Sequence, residues 1–251
     1  MTTWVLLRGL AREAGHWSGT VRALRARVPE DDHVVAFSLP GNGELHHLES
    51  PCTVDGMVDS VLDRLDLRQC RPPFLPVALS LGGMVAMRWA ERRPHQLSGC
   101  VLINASFAGL SPFWQRLRPA SYLALAGLLR PGLRDDERER AVLALTSNKP
   151  VDETTVRAWT ALFEARPVTR ANFLRQLRAA AAYRLPQQRP DVPMLLLASS
   201  NDRLVAPECS RALARAWSLP LHLHSQTGHD LPLDDADWLI EHLLVFRAGF
   251  A

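Results

Sequence analysis

The sequence lacks the features that would assign it to several special classes of protein. No apolar run among its 251 residues approaches the roughly 20 residues that a membrane-spanning helix needs. No basic leader precedes the first apolar residues, MTTWVLLRGL, so we interpret them as a strand and not as a secretion signal. We therefore expect a protein that does not span a membrane and that resides in the cytoplasm.

Cysteine is scarce, and its spacing is not that of a disulfide framework or a zinc site. The four cysteines are Cys52, Cys70, Cys100 and Cys209. In an intracellular protein such cysteines are reduced and packed like other small apolar residues. His46 and His47 also lack a partner at metal-ligand spacing. The sequence therefore predicts neither a metal nor an organic cofactor.

The chain as a whole has only a small excess of basic over acidic residues. The net charge of +3 is too small to indicate nucleic-acid binding. Residues 109–190 are the exception, because 14 basic residues stand there against 7 acidic ones. Such an excess is typical of a solvated helical face, or else of a surface that attracts an anionic substrate or partner.

Apolar residues, by contrast, make up 47% of the chain, enough to bury a large core. Short apolar runs alternate with amphipathic stretches, a pattern typical of βαβ units around a parallel sheet. The predicted strands are residues 4–7, 33–37, 74–79, 99–104, 194–198 and 219–224. The predicted helices are residues 17–28, 54–67, 81–92, 207–217 and 235–246. The predicted fold class is α/β, with a doubly wound, mostly parallel sheet covered by helices on both faces.

One stretch, residues 109–188, interrupts this alternation. It is helix-like throughout, rich in Arg, Ala and Leu, and contains no convincing strand. We predict that residues 1–108 and 189–251 form one α/β core and that residues 109–188 form a helical cap inserted into it.

The segment FLPVALSLGGMVAMRWAERRP contains the strongest chemical signal. An apolar strand runs into Ser80 and an amphipathic helix follows at once. A turn this sharp strains the central residue, and it requires small neighbours two positions away, here Ala78 and Gly82. Leu81 opens the helix, so its N–H is free to bind an oxyanion. The alternative interpretation is an ordinary strand–helix junction with Ser80 as the helix N-cap.

This turn resembles the nucleophile elbow of the α/β-hydrolase superfamily, in the branch of small capped serine esterases, although Ala78 stands where the family has glycine. The resemblance covers nearly the whole chain and is weakest in the predicted cap. It implies a catalytic triad in the chain order serine, acid, histidine. It also implies the α/β-hydrolase fold with an inserted cap.

The acid and the base of such a triad are found at the expected places. Asp202 follows the apolar run MLLLAS, and His229 follows the last predicted strand. Both therefore fall at carboxyl ends of strands, on the same sheet edge as Ser80. Three further acids beside His229 are rivals for the role, and we interpret them as caps of the last helix. They are Asp230, Asp234 and Asp235.

The resemblance also implies a second oxyanion donor after the first strand. A His-Gly pair commonly occupies this loop in the family, and the next residue donates its backbone N–H. The corresponding pair here is Arg8-Gly9, so the donor is Leu10, and Arg8 is a departure from the family pattern.

These parts predict a serine hydrolase that cleaves a carboxylic ester or thioester through an acyl-enzyme on Ser80. Its substrate is a small-molecule or carrier-linked acyl ester. The basic residues in the predicted cap favour an acyl chain on an anionic acyl carrier protein, as in the pimeloyl-carrier-protein methyl ester esterases that the sequence weakly resembles. Two alternatives remain open: a carbon–carbon bond hydrolase or lyase with the same triad, and a non-catalytic hydrolase-like binding module.

Overall fold

A six-stranded parallel sheet forms the centre of the molecule. The computed structural model describes residues 1–128, 130, 132–150 and 152–249. The strands are β1 (Thr3–Leu7), β2 (His33–Phe37), β3 (Phe74–Leu79), β4 (Cys100–Ile103), β5 (Met194–Ser199) and β6 (Leu221–His224). Their order across the sheet is β2-β1-β3-β4-β5-β6, and every neighbouring pair is parallel. The predicted α/β fold class is thereby confirmed.

Helices connect the strands and cover both faces of the sheet. The core helices are α1 (Ser18–Arg25), α2 (Val54–Leu67), α3 (Leu81–Arg92), α9 (Glu208–Trp217), α10 (Leu231–Asp234) and α11 (Ala236–Ala248). Between β4 and β5 lie α4 (Phe113–Arg116), α5 (Tyr122–Gly127), α6 (Asp135–Thr146), α7 (Glu153–Ala165) and α8 (Arg170–Ala182). Among the described residues, no helix has both the length and the apolar character needed to cross a bilayer.

The sequence located the core elements to within a few residues. Strands β2 and β3 and helices α2 and α3 have the predicted bounds, and Thr53 caps α2 through a hydrogen bond from Gly56 N–H. The last strand begins later than predicted, at Leu221. The reason is that the Leu219 N–H bonds to the Ala214 carbonyl of α9 and so still closes that helix. The division into an α/β core and a cap remains a prediction.

The strand order determines where a site can form. From β1 the chain first moves outward to β2 and then returns to the other side of β1 to form β3. The connections therefore leave β1 and β3 in opposite directions, and a crevice opens at the carboxyl ends of these two strands. Leu7 pairs with Ala78 in the register, so the loop after β1 lies directly beside the turn after β3.

Two apolar clusters, one on each face, hold the sheet between its helices. One includes Val5, Met57, Val85 and Trp89, and the other includes Trp4, Leu197 and Leu243. Burying one such side chain contributes about 1.5–3 kcal/mol relative to leaving it exposed. The strands read as continuous apolar runs because both of their faces are covered in this way.

The helices between β4 and β5 have a much smaller apolar cluster of their own, in which the buried side chains are Leu143, Val156 and Trp159. Helix α8 joins the core through the buried Ala179, which belongs to the first sheet cluster, and through polar contacts. The fully buried Gln176 amide donates to Asn42 Oδ1 at 2.8 Å and to Ser50 Oγ at 3.0 Å.

Candidate active site

Ser80 occupies a strained turn between β3 and α3. Its φ of 56° and ψ of −116° lie outside the regions that L-residues ordinarily adopt. Ser80 makes no side-chain capping hydrogen bond to α3, which excludes the alternative interpretation as an ordinary N-cap. Gly82 explains how the turn closes, because an added Cβ would lie 2.6 Å from the Leu7 carbonyl and 2.7 Å from that of Arg8.

Asp202 and His229 meet at the same sheet edge. His229 Nδ1 lies 2.6 Å from Asp202 Oδ2, and both side chains are buried. The other carboxylate oxygen of Asp202 accepts the N–H groups of Leu204 at 2.7 Å and Val205 at 2.9 Å. These bonds fix the carboxylate, which in turn orients the imidazole so that Nε2 is the nitrogen left free of Asp202.

Asn104, at the end of β4, completes the support of this pair and was not identified from the sequence. It has a φ of 46°, and its Nδ2 donates to the His229 carbonyl at 2.9 Å. Its Oδ1 accepts the Ser199 N–H at 2.8 Å. Asn104 thus joins the end of β5 to the histidine loop. The tolerance of asparagine for positive φ was the one local signal that marked it.

The charge environment favours the protonated form of His229. Burial alone lowers the pKa of the imidazole, because a cation is poorly solvated there. The Asp202 carboxylate, through its charge and its hydrogen bond, and the Asp230 charge outweigh that effect and raise the pKa above its ordinary value. Arg8 acts in the opposite direction and limits the rise.

Ser80 is not hydrogen-bonded to His229. Within the part of the chain that the structure describes, no hydrogen bond of up to 3.5 Å joins the Ser80 hydroxyl to the imidazole. The structure therefore brings Asp202 and His229 into contact. It places Ser80 at the end of β3 on the same sheet edge, without a hydrogen bond between its hydroxyl and the imidazole.

The loop after β1 packs against Ser80. A Cβ added to Gly9 would lie 3.1 Å from Ser80 Cβ and 3.6 Å from its Oγ, so the two backbones are in close contact. Ala11, which has a φ of 54°, donates its N–H to Gln176 Oε1 at 2.9 Å. For the described residues, no protein acceptor is found for the backbone N–H of Leu10 or of Leu81.

Arg8 is held by Asp230, which we had interpreted from the sequence as a cap of the last helix. Arg8 Nη1 donates to Asp230 Oδ1 at 3.0 Å, and Nη2 makes a second contact to the other carboxylate oxygen. The interpretation of Asp230 as a helix cap is therefore wrong, since its carboxylate is occupied by Arg8. Asp234 instead accepts the Gly228 N–H at 2.7 Å. Asp235 does cap α11, through Trp238 N–H, as predicted.

The aromatic residues between β4 and β5 divide into buried and exposed groups. Trp159 is buried, and the guanidinium carbon of Arg12 lies 4.7 Å from its ring centroid. Phe113 and Trp114 are exposed on α4. A cavity of about 370 Å³ opens beside the Asp202 loop. Its lining consists of Trp114, Arg118, Pro119, Ala120, Ser200, Ala206, Pro207 and Glu208.

The histidines that lie close to one another in the structure are not gathered into a metal site. His46 and His47 contact each other edge to face in a loop, and His222 contacts His242 in the same manner. Over the described ranges, no group of three or more His, Cys, Asp or Glu side chains is arranged to hold a metal ion.

Comparisons with known proteins agree with this architecture. The model of the alpha/beta hydrolase family matches residues 4–242. The uncharacterized protein YqjL of Bacillus subtilis (strain 168) is 25% identical over 103 residues, which cover 40% of this chain and 41% of that protein. The matched part of the chain thus spans about two fifths of the length of this curated relative.

Solved structures resemble the chain over nearly its whole length. A candidate lipase from Acinetobacter baumannii AYE has a TM-score of 0.79 at 19% identity, covering 99% of this chain and 84% of that one. The enol-lactonase from Burkholderia xenovorans LB400 has a TM-score of 0.73 at 20% identity, covering 99% of this chain and 92% of that one. At identities this low, the structural likeness shows a common fold alone.

Proposed function

Because the chain belongs to the alpha/beta hydrolase family, we propose that it is a serine hydrolase that cleaves a carboxylic ester or thioester. The observation that carries the proposal is the strained, non-capping Ser80 at the end of β3, on the same sheet edge as the bonded pair Asp202–His229. A strained backbone persists only when its surroundings enforce it, and such strain concentrates at functional sites.

The proposed reaction uses these three side chains in sequence. His229 Nε2 takes the Ser80 proton as Oγ attacks the carbonyl, and the same proton then leaves with the departing alcohol or thiol. Asp202 holds the imidazole in the required tautomer and stabilises its cation. A water molecule, deprotonated by His229, then attacks the acyl-enzyme and releases the acid. The bond between Ser80 and His229 forms when substrate is bound, since such bonds are often long in the free enzyme.

The oxyanion donors of the proposed reaction are the backbone N–H groups of Leu10 and Leu81. Leu81 is the first residue of α3, where N–H groups have no partner within the helix. Leu10 follows Gly9, which packs against Ser80. Donors placed in this way stabilise the charge that develops on the substrate oxygen, and removing one such donor costs on the order of 10²–10³ in rate.

Active-site labelling tests the nucleophile. A fluorophosphonate probe is expected to label the wild-type protein and Ser98→Ala, a variant of another half-buried serine whose hydroxyl bonds to the Phe74 carbonyl. It should not label Ser80→Ala. Absence of labelling in folded wild-type protein would reject the serine hydrolase and favour the non-catalytic binding module. Turnover of diketones without turnover of esters would assign carbon–carbon cleavage to the same residues.

The proposed substrate is an acyl chain on an anionic carrier, bound over a cap formed by residues 109–188. The 14 basic residues against 7 acidic ones in residues 109–190 support this choice. Several of these side chains are exposed, including Arg170 and Arg178 on α8. The opposite side of α8 is held to the core by Gln176, so these arginines belong to a fixed surface.

Charge reversal separates carrier recognition from ester chemistry. Arg170→Glu with Arg178→Glu is expected to raise KM for a carrier-linked acyl ester at least tenfold at low salt, with no change for a free short ester. The matched control reverses Arg22 and Arg215, which are exposed outside the basic stretch. Equal turnover of free and carrier-linked esters would end the carrier hypothesis while leaving the serine hydrolase in place.

A further inference from the structure

We infer that Arg8 and Asp230 act as a positioning pair, which holds the loop of Leu10 against the loop of His229 during catalysis. The inference rests on the proposed serine hydrolase function and deepens it, because neither residue would touch the reacting atoms. Arg8 lies two residues before Leu10, and Asp230 directly follows His229. The pair therefore joins the proposed oxyanion donor to the proposed base across 222 positions of the sequence.

The geometry of the contact between Arg8 and Asp230 restricts how the two loops can move relative to each other. Both nitrogens at the end of the guanidinium meet both carboxylate oxygens, and the residues are only 2% and 3% exposed. A two-point contact fixes relative orientation as well as distance, which a single hydrogen bond does not. A shift of the histidine loop would therefore displace the Leu10 loop with it.

The surroundings restrict both partners further. The guanidinium carbon of Arg8 lies 5.1 Å from the ring centroid of Trp17 and 5.9 Å from that of Trp159, which belongs to α7. The Asp230 N–H donates to the Thr146 carbonyl at the end of α6 at 2.8 Å. Helices between β4 and β5 therefore contact both halves of the pair.

Stability alone does not account for such a pair. Removing two charges from water is costly, and well-packed apolar residues of similar size often serve as well or better. What an ion pair adds is a defined register between the two loops. Leu10 and His229 act on the same reacting centre in the proposed mechanism, and small displacements there are costly to rate.

The pair also acts on His229 through its charges. The charged groups around the imidazole come from three loops: Asp202 after β5, Asp230 beside the imidazole in sequence, and Arg8 after β1. Asp230 raises the pKa of His229 and Arg8 lowers it. Losing one member should therefore shift the pKa in one direction, and losing the other should shift it in the opposite direction.

Titration of His229 by NMR tests this charge relation without requiring any activity. In Arg8→Gln we expect the pKa of His229 to rise, and in Asp230→Asn we expect it to fall. Arg8→Lys keeps the charge, so the pKa should stay near the wild-type value. Unchanged values in both uncharged variants, or shifts in one direction, would overturn the role of the pair. This readout is valid even if the probe fails to label Ser80, so the two proposals fail separately.

Kinetics of an apolar replacement test the positioning role. Arg8→Met with Asp230→Leu removes both charges together, so the protein should fold with a Tm near that of the wild type. We expect kcat to fall at least tenfold with KM changed less than threefold. Arg8→Lys should also lose kcat, because an ammonium group cannot make the two-point contact. Wild-type kcat in the folded apolar variant would reject the positioning pair.

Discussion

The sheet core and the helical segment between β4 and β5 differ in how much apolar burial holds them together. The core depends on two large apolar clusters that cover opposite faces of one sheet. The helical segment has a smaller cluster of buried apolar side chains, and it joins the core through the buried Ala179, which belongs to one of the sheet clusters, and through buried polar groups such as Gln176 and Asn172. Apolar burial is non-directional, whereas hydrogen bonds define one arrangement.

This difference bears on the proposed catalysis. The bond between Asp202 and His229 is formed between loops that follow β5 and β6 of the core. The helical segment also contacts the loops around this bond, since Arg118 Nη1 donates to the Asp202 carbonyl at 2.7 Å and the Asp230 N–H donates to the Thr146 carbonyl. The loop carrying Leu10 contacts the segment as well, because Ala11 donates to Gln176. Changes in the core should therefore act on the bond between Asp202 and His229, and changes in the segment should act on how the surrounding loops are placed.

The largest effect is expected at the carboxylate that bonds to His229. Asp202→Asn should lower kcat by about 10⁴, because an amide stabilises the wrong tautomer of the histidine. Ester hydrolysis measures this loss, and thermal unfolding should show that the fold is kept. A loss of less than tenfold would remove Asp202 from the proposed triad.

Paired truncations compare the stability of the two regions. Leu197→Ala in the core and Leu143→Ala in the segment should each cost about 2–5 kcal/mol in the free energy of unfolding. Hydrogen exchange should show loss of protection confined to residues 109–188 for Leu143→Ala, and spread over the sheet for Leu197→Ala. Leu67→Ala, at an exposed position, serves as the control. Identical exchange patterns would contradict the division into core and cap.

Gln176→Ala removes one of the polar connections between the two regions. It leaves the Ala11 N–H and Asn42 Oδ1 without the amide that pairs with them, at a cost of roughly 1–3 kcal/mol. We also expect kcat to fall, since Ala11 lies beside Leu10. Gln187→Ala removes an exposed glutamine and should change neither quantity. Unchanged kcat in Gln176→Ala would show that Gln176 does not support the Leu10 loop.

The pH dependence of activity reports on the protonation of His229. The proposed base must be neutral to accept the Ser80 proton, so kcat/KM should fall tenfold per unit as the pH drops below the pKa of His229. Because that pKa is raised, the fall should begin above the ordinary histidine value of about 6.5. A profile that stays flat down to pH 5 would contradict the assignment of His229 as the base.

The smallest effect is expected far from the site. Thr53→Ala removes the side-chain cap of α2 and should cost about 1 kcal/mol of stability while leaving kcat and KM unchanged. Chemical denaturation measures the first quantity and ester hydrolysis the second. A loss of activity here would mean that the candidate site is sensitive to the N-terminal cap of α2.

The core elements were largely determined by the sequence alone. All-apolar strands, capped amphipathic helices and the sharp turn at Ser80 leave local patterns, because their causes lie within a few residues. The proximity of Asp202 to His229 also followed, since carboxyl ends of parallel strands share one edge. Their bond at 2.6 Å lies between residues that the sequence had already selected.

Only the tertiary structure decided how the loops around this edge are joined. From the sequence, Arg8 was a departure from the family's His-Gly pair and Asp230 was interpreted as a helix cap. In the structure the two side chains form one buried contact. Asn104 and Gln176 gave little or no periodic signal, although each bonds to two separate parts of the chain. Polar contacts between distant residues depend on the final placement of whole elements, and neither spacing nor composition along the chain records that placement.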